Sequence, residues 1–152
     1  MPTTKSDPVK VSFSFYPQDV ETLTMQTVGL RRLGAAVRRG TVLRALIEIT
    51  SETEMFAAAV LLHRDYQSKE GPRESDYVAD FPTVDLPSQL VKKLDAVVTE
   101  LAAKDISANR AYVVRAILRS APAPKEWVKT VEKFLRDNPR RPRTIKPKRS
   151  AK

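Results

Sequence analysis

Two short segments of the chain alternate between apolar and polar residues. In the first, Ser12 and Ser14 lie between apolar neighbours, and in the second Asp85 does. A period of two places alternate side chains on opposite faces of a β-strand. The alternation therefore predicts two strands, each with one buried face. The residues on the predicted buried faces are Val11, Phe13, Phe15, Val84 and Leu86.

Each alternating segment is followed by two stretches in which apolar residues recur at helical spacing. The second stretch begins near Gly40 in one case and near Arg110 in the other, and both are strongly apolar. Residues with a short polar side chain favour the position before a helix, where they accept a hydrogen bond from a backbone N–H. Asn109 or Ser107 is the candidate cap for the later helix, and Thr41 is the candidate for the earlier one.

The two strand-helix-helix segments are copies of one another. When the chain is aligned with itself so that Val11 falls on Pro82, 11–47 match 82–118 without a gap, and RGTVLRALI aligns with RAYVVRAIL. An internal repeat indicates that one structural unit occurs more than once. A single strand leaves its backbone N–H and C=O groups unpaired, so we expect the two strands to pair antiparallel above four helices.

The predicted fold is mainly α-helical with a two-stranded antiparallel β-ribbon, and its two motifs form one domain around a pseudo-twofold axis. An extra helix follows each motif, and Ser51 and Glu54 match the capping-box pattern at the start of the first one. We expect both extra helices to cap the core; a docking face for a second copy or another protein is the alternative. The predicted segments are a flexible N-terminus (1–8), the first motif (9–49), an extra helix (50–68), a linker (69–81), the second motif (82–120), an amphipathic helix (124–137) and a basic disordered tail (138–152).

The positive charge of the chain is concentrated at its C-terminal end. Among 152 residues there are 27 Lys and Arg and 18 Asp and Glu, which gives a net charge of +9. No acidic residue follows Asp137, so the tail accounts for seven of these charges and residues 1–137 for the other two. The tail is either a solubilising end or an arm that binds DNA phosphates without sequence preference. Its candidate phosphate-binding residues are Arg140, Arg141, Arg143, Lys146, Lys148 and Arg149.

Two windows within the repeats contain basic residues but no acidic ones. They lie between Glu21 and Glu48 and between Asp105 and Glu126, and each includes the start of the second helix of its motif. The amino end of a helix attracts anions because its first N–H groups have no intrahelical partner. We therefore expect both helix starts to be kept free of acidic side chains and to bind a polyanion.

The composition excludes several functional classes. Without cysteine the chain forms no disulfide and no thiolate metal site, and its one histidine, His63, has no nucleophile or metal ligand that could act with it. No glycine-rich phosphate-binding loop is present. No apolar run approaches the roughly 18 residues of a membrane span, and residues 1–10 lack the apolar core of a signal peptide. We therefore expect a cytoplasmic protein that is not an enzyme and that needs no cofactor or metal.

The repeated segments resemble the ribbon-helix-helix DNA-binding fold of the Arc, MetJ and CopG repressors. The resemblance rests on the strand VSFSF and on the second helices within RRGTVLRALI and NRAYVVRAIL, and it covers about 9–49 and 80–120. Family members usually dimerise, with one strand from each chain. In this sequence both halves lie in one chain, as in tandem members such as TraY of conjugative relaxosomes and the fused-repeat accessory protein of the virC operon. The resemblance implies a monomer in solution.

The resemblance also implies that the outer face of the ribbon enters the major groove and contacts base edges. The implied base-reading residues are Lys10, Ser12, Ser14, Thr83 and Asp85. The second helix of each motif would bind a phosphate with its first backbone N–H groups. The implied phosphate-binding residues are Arg38, Arg39, Gly40, Thr41, Asn109, Arg110 and Ala111. The acidic Asp85 and the bulky, apolar Phe81 depart from what a DNA-facing surface should carry.

The function predicted from these features is sequence-specific binding of double-stranded DNA through the ribbon, by a regulator of a plasmid or mobile element. It would act as a transcriptional repressor, a partition factor or an accessory factor in DNA transfer. The alternatives are an antitoxin-like protein-interaction module with secondary DNA binding, and non-specific nucleic-acid packaging by the tail. Candidate partners are double-stranded DNA, a second copy bound beside the first, and a relaxase, a partition ATPase or a toxin. The expected location is the nucleoid or a plasmid in the cytoplasm.

Overall fold

The described part of the chain folds into six helices and one two-stranded ribbon. The computed structural model describes residues 8–67 and 78–138. In chain order the elements are β1 (Val9–Ser12), α1 (Pro17–Arg32), α2 (Arg39–Ile49), α3 (Glu52–Gln67), β2 (Thr83–Leu86), α4 (Ser88–Ala102), α5 (Arg110–Arg119) and α6 (Pro124–Asp137). The expectation of a mainly helical fold with a two-stranded antiparallel ribbon is confirmed.

The ribbon is longer than its two regular strands. Beyond β1, the N–H of Phe13 donates to the C=O of Pro82 and the N–H of Phe15 donates to the C=O of Asp80, both at 3.0 Å. The pairing therefore begins at Asp80, within the segment that the sequence predicted as a linker. The paired residues of the regular strands are Val9 with Leu86, Lys10 with Asp85, Val11 with Val84, and Ser12 with Thr83.

The inner face of the ribbon is buried, as the alternation predicted. Each of the five apolar residues predicted for this face keeps at most 6% of its surface exposed, whereas Val9, at the end of the ribbon, keeps 39%. Phe13 and Phe15 stack with their ring centroids 6.5 Å apart. Burying an apolar side chain of this size contributes about 1.5–3 kcal/mol to the free energy of unfolding. The burial of one face leaves the other face of the ribbon to the polar residues that alternate with it.

The two strongly apolar helices, α2 and α5, lie at the centre of the core, where they contact each other. Their buried apolar residues are Val42, Leu43, Ala45, Leu46, Ile47, Ala111, Val113, Val114, Ala116, Ile117 and Leu118. Asn109 caps α5, as predicted, because its Oδ1 accepts the N–H of Tyr112 at 2.8 Å. The predicted cap of α2 by Thr41 is wrong. That helix already begins at Arg39 after an extended Arg38, so Thr41 lies inside the first turn.

Two turns of the same design join α1 to α2 and α4 to α5. The first contains Gly34 with φ 101° and the second contains Asp105 with φ 63°. In both turns the next N–H donates back to a carbonyl five residues earlier, an arrangement that ends a helix with a left-handed residue. These bonds join Ala35 to Leu30 at 3.0 Å and Ile106 to Leu101 at 2.9 Å.

The two extra helices each cover the motif to which they do not belong. α3 follows the first motif and packs on α4 and α5, whereas α6 follows the second motif and packs on α1 and α2. The buried residues are Met55, Ala59 and Leu62 in α3 and Trp127, Val131 and Phe134 in α6. The predicted capping box of α3 is present, because the Ser51 N–H donates to Glu54 Oε1 at 2.9 Å and the Glu54 N–H donates to Ser51 Oγ at 3.1 Å.

Several predicted segments lie outside the described residues. They are residues 1–7 of the N-terminus, residues 68–77 of the extra helix and linker, and residues 139–152 of the basic tail. The tail residues Arg140, Arg141, Arg143, Lys146, Lys148 and Arg149 belong to this part, so their role stays a prediction.

Candidate nucleic-acid interface

The five predicted base-reading residues lie together on the outer face of the ribbon. Four of them are exposed, and Ser14 is half-buried. Ser12 Oγ and Thr83 Oγ1 form a hydrogen bond of 2.8 Å across the two strands. Lys10 stands opposite Asp85 in the register. The outer face therefore offers hydroxyl, ammonium and carboxylate groups, which can donate to or accept from the base edges in a major groove.

Phe81 extends this face at the end where Ser14 lies. The hydrogen bonds from Phe13 to Pro82 and from Phe15 to Asp80 enclose the pair formed by Ser14 and Phe81, so these two residues stand opposite each other. Phe81 keeps 62% of its surface exposed. Its outward position follows from the alternation, but its chemistry did not fit the predicted set of polar base contacts.

The start of α2 presents uncapped backbone N–H groups. No described side chain caps this helix, and the residue before it, Arg38, is exposed. An added Cβ at Gly40 would meet no atom within 4 Å, so the space beside the first turn is open at this position. The adjoining α1–α2 turn borders an open depression of about 420 Å³ that Arg31 and Arg38 help to line. These features suit an anion at the positive end of the helix dipole.

Asp80 lies beside the start of α2, contrary to the expectation that this site excludes acidic side chains. Arg39 Nη2 donates to Asp80 Oδ2 at 2.5 Å. The hydrogen bond from Arg39 holds the pKa of Asp80 below its ordinary value. The acid-free window does not include Asp80, because that residue lies in the paired segment before β2, 41 positions along the chain from Arg39.

The start of α5 also carries an acidic partner. Arg110 donates to both carboxylate oxygens of Asp95 on α4, at 2.7 and 2.9 Å. The hydrogen bond from Arg110 lowers the pKa of Asp95 and raises that of Arg110 itself. The expectation of acid-free helix starts is therefore wrong at both sites, although neither acid lies within the two sequence windows.

The two helix starts are not equivalent in their free backbone donors. In α5 the side chain of Asn109 already occupies the N–H of Tyr112, whereas α2 has no such side-chain cap. Ala111 is buried, so it offers little surface to a ligand. Of the two sites, the start of α2 is the more open to an anion.

A buried ionic cluster beneath the ribbon was missed by sequence reasoning. Asp19 is fully buried and accepts hydrogen bonds from the Tyr16 N–H and from Arg119 Nε, both at 3.0 Å. Arg115 lies beside it, with its Nε 3.7 Å from Asp19 Oδ2. Arg115 Nη1 donates to the backbone C=O of Ser14 at 3.2 Å. The cluster therefore ties the first turn of α1 and the helix α5 to the end of the outer ribbon face.

No other chemistry stands out in the described residues. No helix among them has both the length and the apolarity needed to cross a bilayer. No group of three or more His, Asp or Glu side chains in residues 8–67 and 78–138 could hold a metal ion.

Comparison of the chain with protein-family models, with curated proteins and with solved structures finds no match. The features of this chain that bear on its function are therefore the ribbon, the two helix starts and the charges around them.

Proposed function

We propose that this protein binds double-stranded DNA as a single-chain ribbon-helix-helix protein. The outer face of the ribbon lies in the major groove, and the starts of α2 and α5 bind the flanking phosphates. One observation carries the proposal: the two residues that pair at the centre of the extended ribbon are equivalent residues of the sequence repeat.

Ser12 and Thr83 are separated by the offset that aligns the two copies of the repeat, and they pair directly. Three residues away on either side, Val9 pairs with Leu86 and Phe15 bridges to Asp80. Adding the repeat offset to Val9 gives Asp80, and subtracting it from Leu86 gives Phe15. The offset therefore relates the first of these pairs to the second. This relation supports a pseudo-twofold axis through the Ser12–Thr83 pair, which is the arrangement that two ribbon-helix-helix chains form in a dimer.

The helices follow the same relation. α1 and α4 begin at Pro17 and Ser88, and α2 and α5 begin at Arg39 and Arg110, each pair separated by the repeat offset. The left-handed residues of the two interhelical turns are separated by the same offset. The extra helices α3 and α6 begin at nearly this offset and cover opposite motifs. Agreement among strands, turns and helices supports a repeat of three helices rather than two.

The physical chemistry of the outer face fits duplex DNA. A two-stranded ribbon is narrow enough to enter the major groove, and the alternating side chains on its outer face then meet base edges. Helix starts that carry Arg38, Arg39 and Arg110 offer amide dipoles and positive charge to phosphates. The acidic partners of Arg39 and Arg110 lie in half-exposed ion pairs. Such pairs contribute only about 0–1 kcal/mol, so a phosphate can replace the carboxylate.

The biological setting that we propose is regulation on a plasmid or mobile element, by repression, partition or DNA transfer. This assignment is supported by the resemblance to ribbon-helix-helix repressors and tandem transfer factors. The basic tail would add affinity without choosing a sequence. The proposed role is binding rather than catalysis.

Selection of duplexes from a random library tests the proposal. The full chain is incubated with the library and an excess of non-specific competitor DNA, and bound duplexes are amplified and sequenced. We expect a defined motif to be enriched and to keep its advantage as salt rises, because base contacts add to the salt-dependent phosphate contacts. Recovery of unrelated sequences, with binding that collapses as salt rises, would instead indicate packaging by the tail and would refute the proposal.

A further inference from the structure

The outer face of the ribbon has chemically different ends. Three cross-strand pairs form this face: Lys10 with Asp85, Ser12 with Thr83, and Ser14 with Phe81. The first pair is fully charged, the central pair is hydroxylic, and the last pair combines a half-buried serine with an exposed aromatic ring. The repeat offset makes Lys10 equivalent to Phe81 and Ser14 equivalent to Asp85. The backbone pairing of the ribbon therefore obeys the proposed twofold symmetry, but the side chains that would meet the bases do not.

The charged end suits a G·C pair. Lysine carries donors only, and guanine offers the acceptors O6 and N7 in the major groove. An ionised aspartate accepts only, and the N4 amino group of cytosine is a donor at the same groove edge. Lys10 and Asp85 stand opposite each other, so together they match the acceptors and the donor of one G·C pair.

The aromatic end suits thymine. Phe81 is 62% exposed, so its ring gains stability wherever a neighbouring apolar group excludes water from it. In the major groove, the thymine C5-methyl group is the apolar contact that the bases offer, and phenylalanine is among the side chains that contact it. Ser14, opposite Phe81, can donate to or accept from the adjoining base edge.

We infer that the ribbon binds an asymmetric DNA element in one orientation, with a G·C pair under Lys10 and Asp85 and a thymine under Phe81. This inference rests on the proposed DNA binding and adds to it the identity and polarity of the bases. A chain that held the same residues at both ends would bind a palindrome in either orientation. This chain would instead place the start of α2 on a defined side of its target and the start of α5 on the other side.

The test removes one chemical group from a base and, separately, the side chain that is proposed to contact it. The duplex motif selected by the wild-type chain is synthesised with deoxyuridine in place of thymine, which removes only the methyl group. In a second duplex 7-deazaguanine replaces guanine, which removes only the N7 acceptor. Binding of the wild type, Phe81→Ala and Lys10→Ala is measured for each duplex by fluorescence anisotropy.

We expect the methyl group of one thymine, at one end of the motif, to contribute to binding only when Phe81 is present. Removing its methyl group should weaken wild-type binding about fourfold, the value for one buried methyl group, and should not change the binding of Phe81→Ala. Removing N7 from a guanine at the other end should weaken binding of the wild type but not of Lys10→Ala. Met25→Ala, which truncates another exposed apolar side chain, on α1, should respond to both duplexes as the wild type does.

The outcomes separate this inference from the proposed function. Enrichment of a palindromic motif, or methyl sensitivity that persists in Phe81→Ala, would overturn the asymmetric contacts and leave DNA binding standing. Failure of the wild type to enrich any motif would overturn both. Phe81 is exposed, so its substitution should not unfold the chain, and equal thermal unfolding of the variants checks this.

Discussion

Ser12 and Thr83 are the residues around which the proposed interface is organised. Their hydroxyl groups bond to each other on an exposed face, so neither contributes much to the core. Arg39 and Arg110 are less available to a ligand, because each already has a carboxylate partner that DNA would have to displace. At the scale of single residues, the question is therefore which polar groups are free for a ligand and which already have a partner in the protein.

Replacing Ser12 and Ser14 by alanine should weaken specific DNA binding and leave stability nearly unchanged. Each lost base contact costs about 1 kcal/mol or more, so we expect at least a fivefold rise in Kd for the selected motif. The hydrogen bond lost to Thr83 is exposed and contributes about 0.5 kcal/mol or less. Fluorescence anisotropy and thermal unfolding measure the two effects, and Ser107→Ala, in an exposed loop, should change neither. A large drop in Tm would show that these hydroxyl groups support the fold instead.

Asp95→Asn should strengthen DNA binding, because it releases Arg110 for a phosphate. The dependence of log K on log salt should also become steeper by about one, as expected for one additional phosphate contact. Glu100→Gln removes an acidic charge from the same helix, and no arginine is bonded to Glu100 among the described residues, so its effect should be smaller. Equal effects of the two variants would indicate a general change in net charge rather than the release of Arg110.

The same carboxylate predicts a pH dependence of stability. Because the pKa of Asp95 is lowered in the folded state, the ion pair stabilises the protein above the unfolded pKa near 3.9 and is lost as the pH falls through the lower folded value. Both partners are more than a third exposed, so we expect only about 0.5 kcal/mol at pH 7. Urea unfolding of the wild type and Asp95→Asn should differ by this amount at neutral pH. The difference should disappear in strong acid, and a constant difference at every pH would contradict the assignment.

At the scale of elements, apolar periodicity predicts where the helices lie along the chain. It does not predict which helices contact each other. The sequence indicated helical segments for α1 to α6 because each of these segments repeats apolar residues at helical spacing. It could not indicate that α6 lies on α1, since that contact depends on the path of the chain after α5. Gln26 on α1 forms two hydrogen bonds at this contact. Its Nε2 donates to the C=O of Pro122 at 2.8 Å, and its Oε1 accepts from Trp127 Nε1 at 2.9 Å.

Gly29→Ala should destabilise the protein through the same helix contact. A Cβ at Gly29 would lie 2.6 Å from Cγ of Pro124, and the proline ring cannot rotate away. Overpacking of this kind costs about 1–3 kcal/mol, which outweighs the roughly 1 kcal/mol by which alanine favours a helix over glycine. We therefore expect a lower free energy of unfolding, measured in urea.

Two variants test the cause of that effect. Gly40→Ala, at an open helix position, should be neutral or stabilising. In a Pro124→Ala background, Gly29→Ala should lose its cost, which a double-mutant cycle measures. A cost that persists in that background would place the strain elsewhere.

At the scale of the whole molecule, the ribbon is completed within one chain. Dimeric ribbon proteins need a second chain for the partner strand, but here β1 and β2 come from the same chain. The free protein should therefore sediment at the mass of one chain, 17.1 kDa, with a Tm that does not change with protein concentration. An obligate dimer, with a concentration-dependent Tm, would mean that the strands pair between chains.

The sequence by itself determined the local features of this protein. Alternation placed the inner and outer faces of the ribbon, and helical spacing placed the apolar helices, because both periods follow from backbone geometry. The constant offset between the two copies indicated that two equivalent units are present. These inferences need only neighbouring residues, or two segments compared with each other, so the sequence contains all the information they use.

The tertiary structure alone decided which charges meet. Asp80 and Asp95 lie outside the acid-free windows, and only folding brings them to Arg39 and Arg110. Asp19 reaches Arg119 across 100 positions of the chain for the same reason. Electrostatic contacts depend on distance in space, which hydrophobic periodicity does not encode. Along the sequence, both helix starts look uniformly basic. In the folded protein, each of them instead carries an arginine paired with a carboxylate that DNA would have to displace.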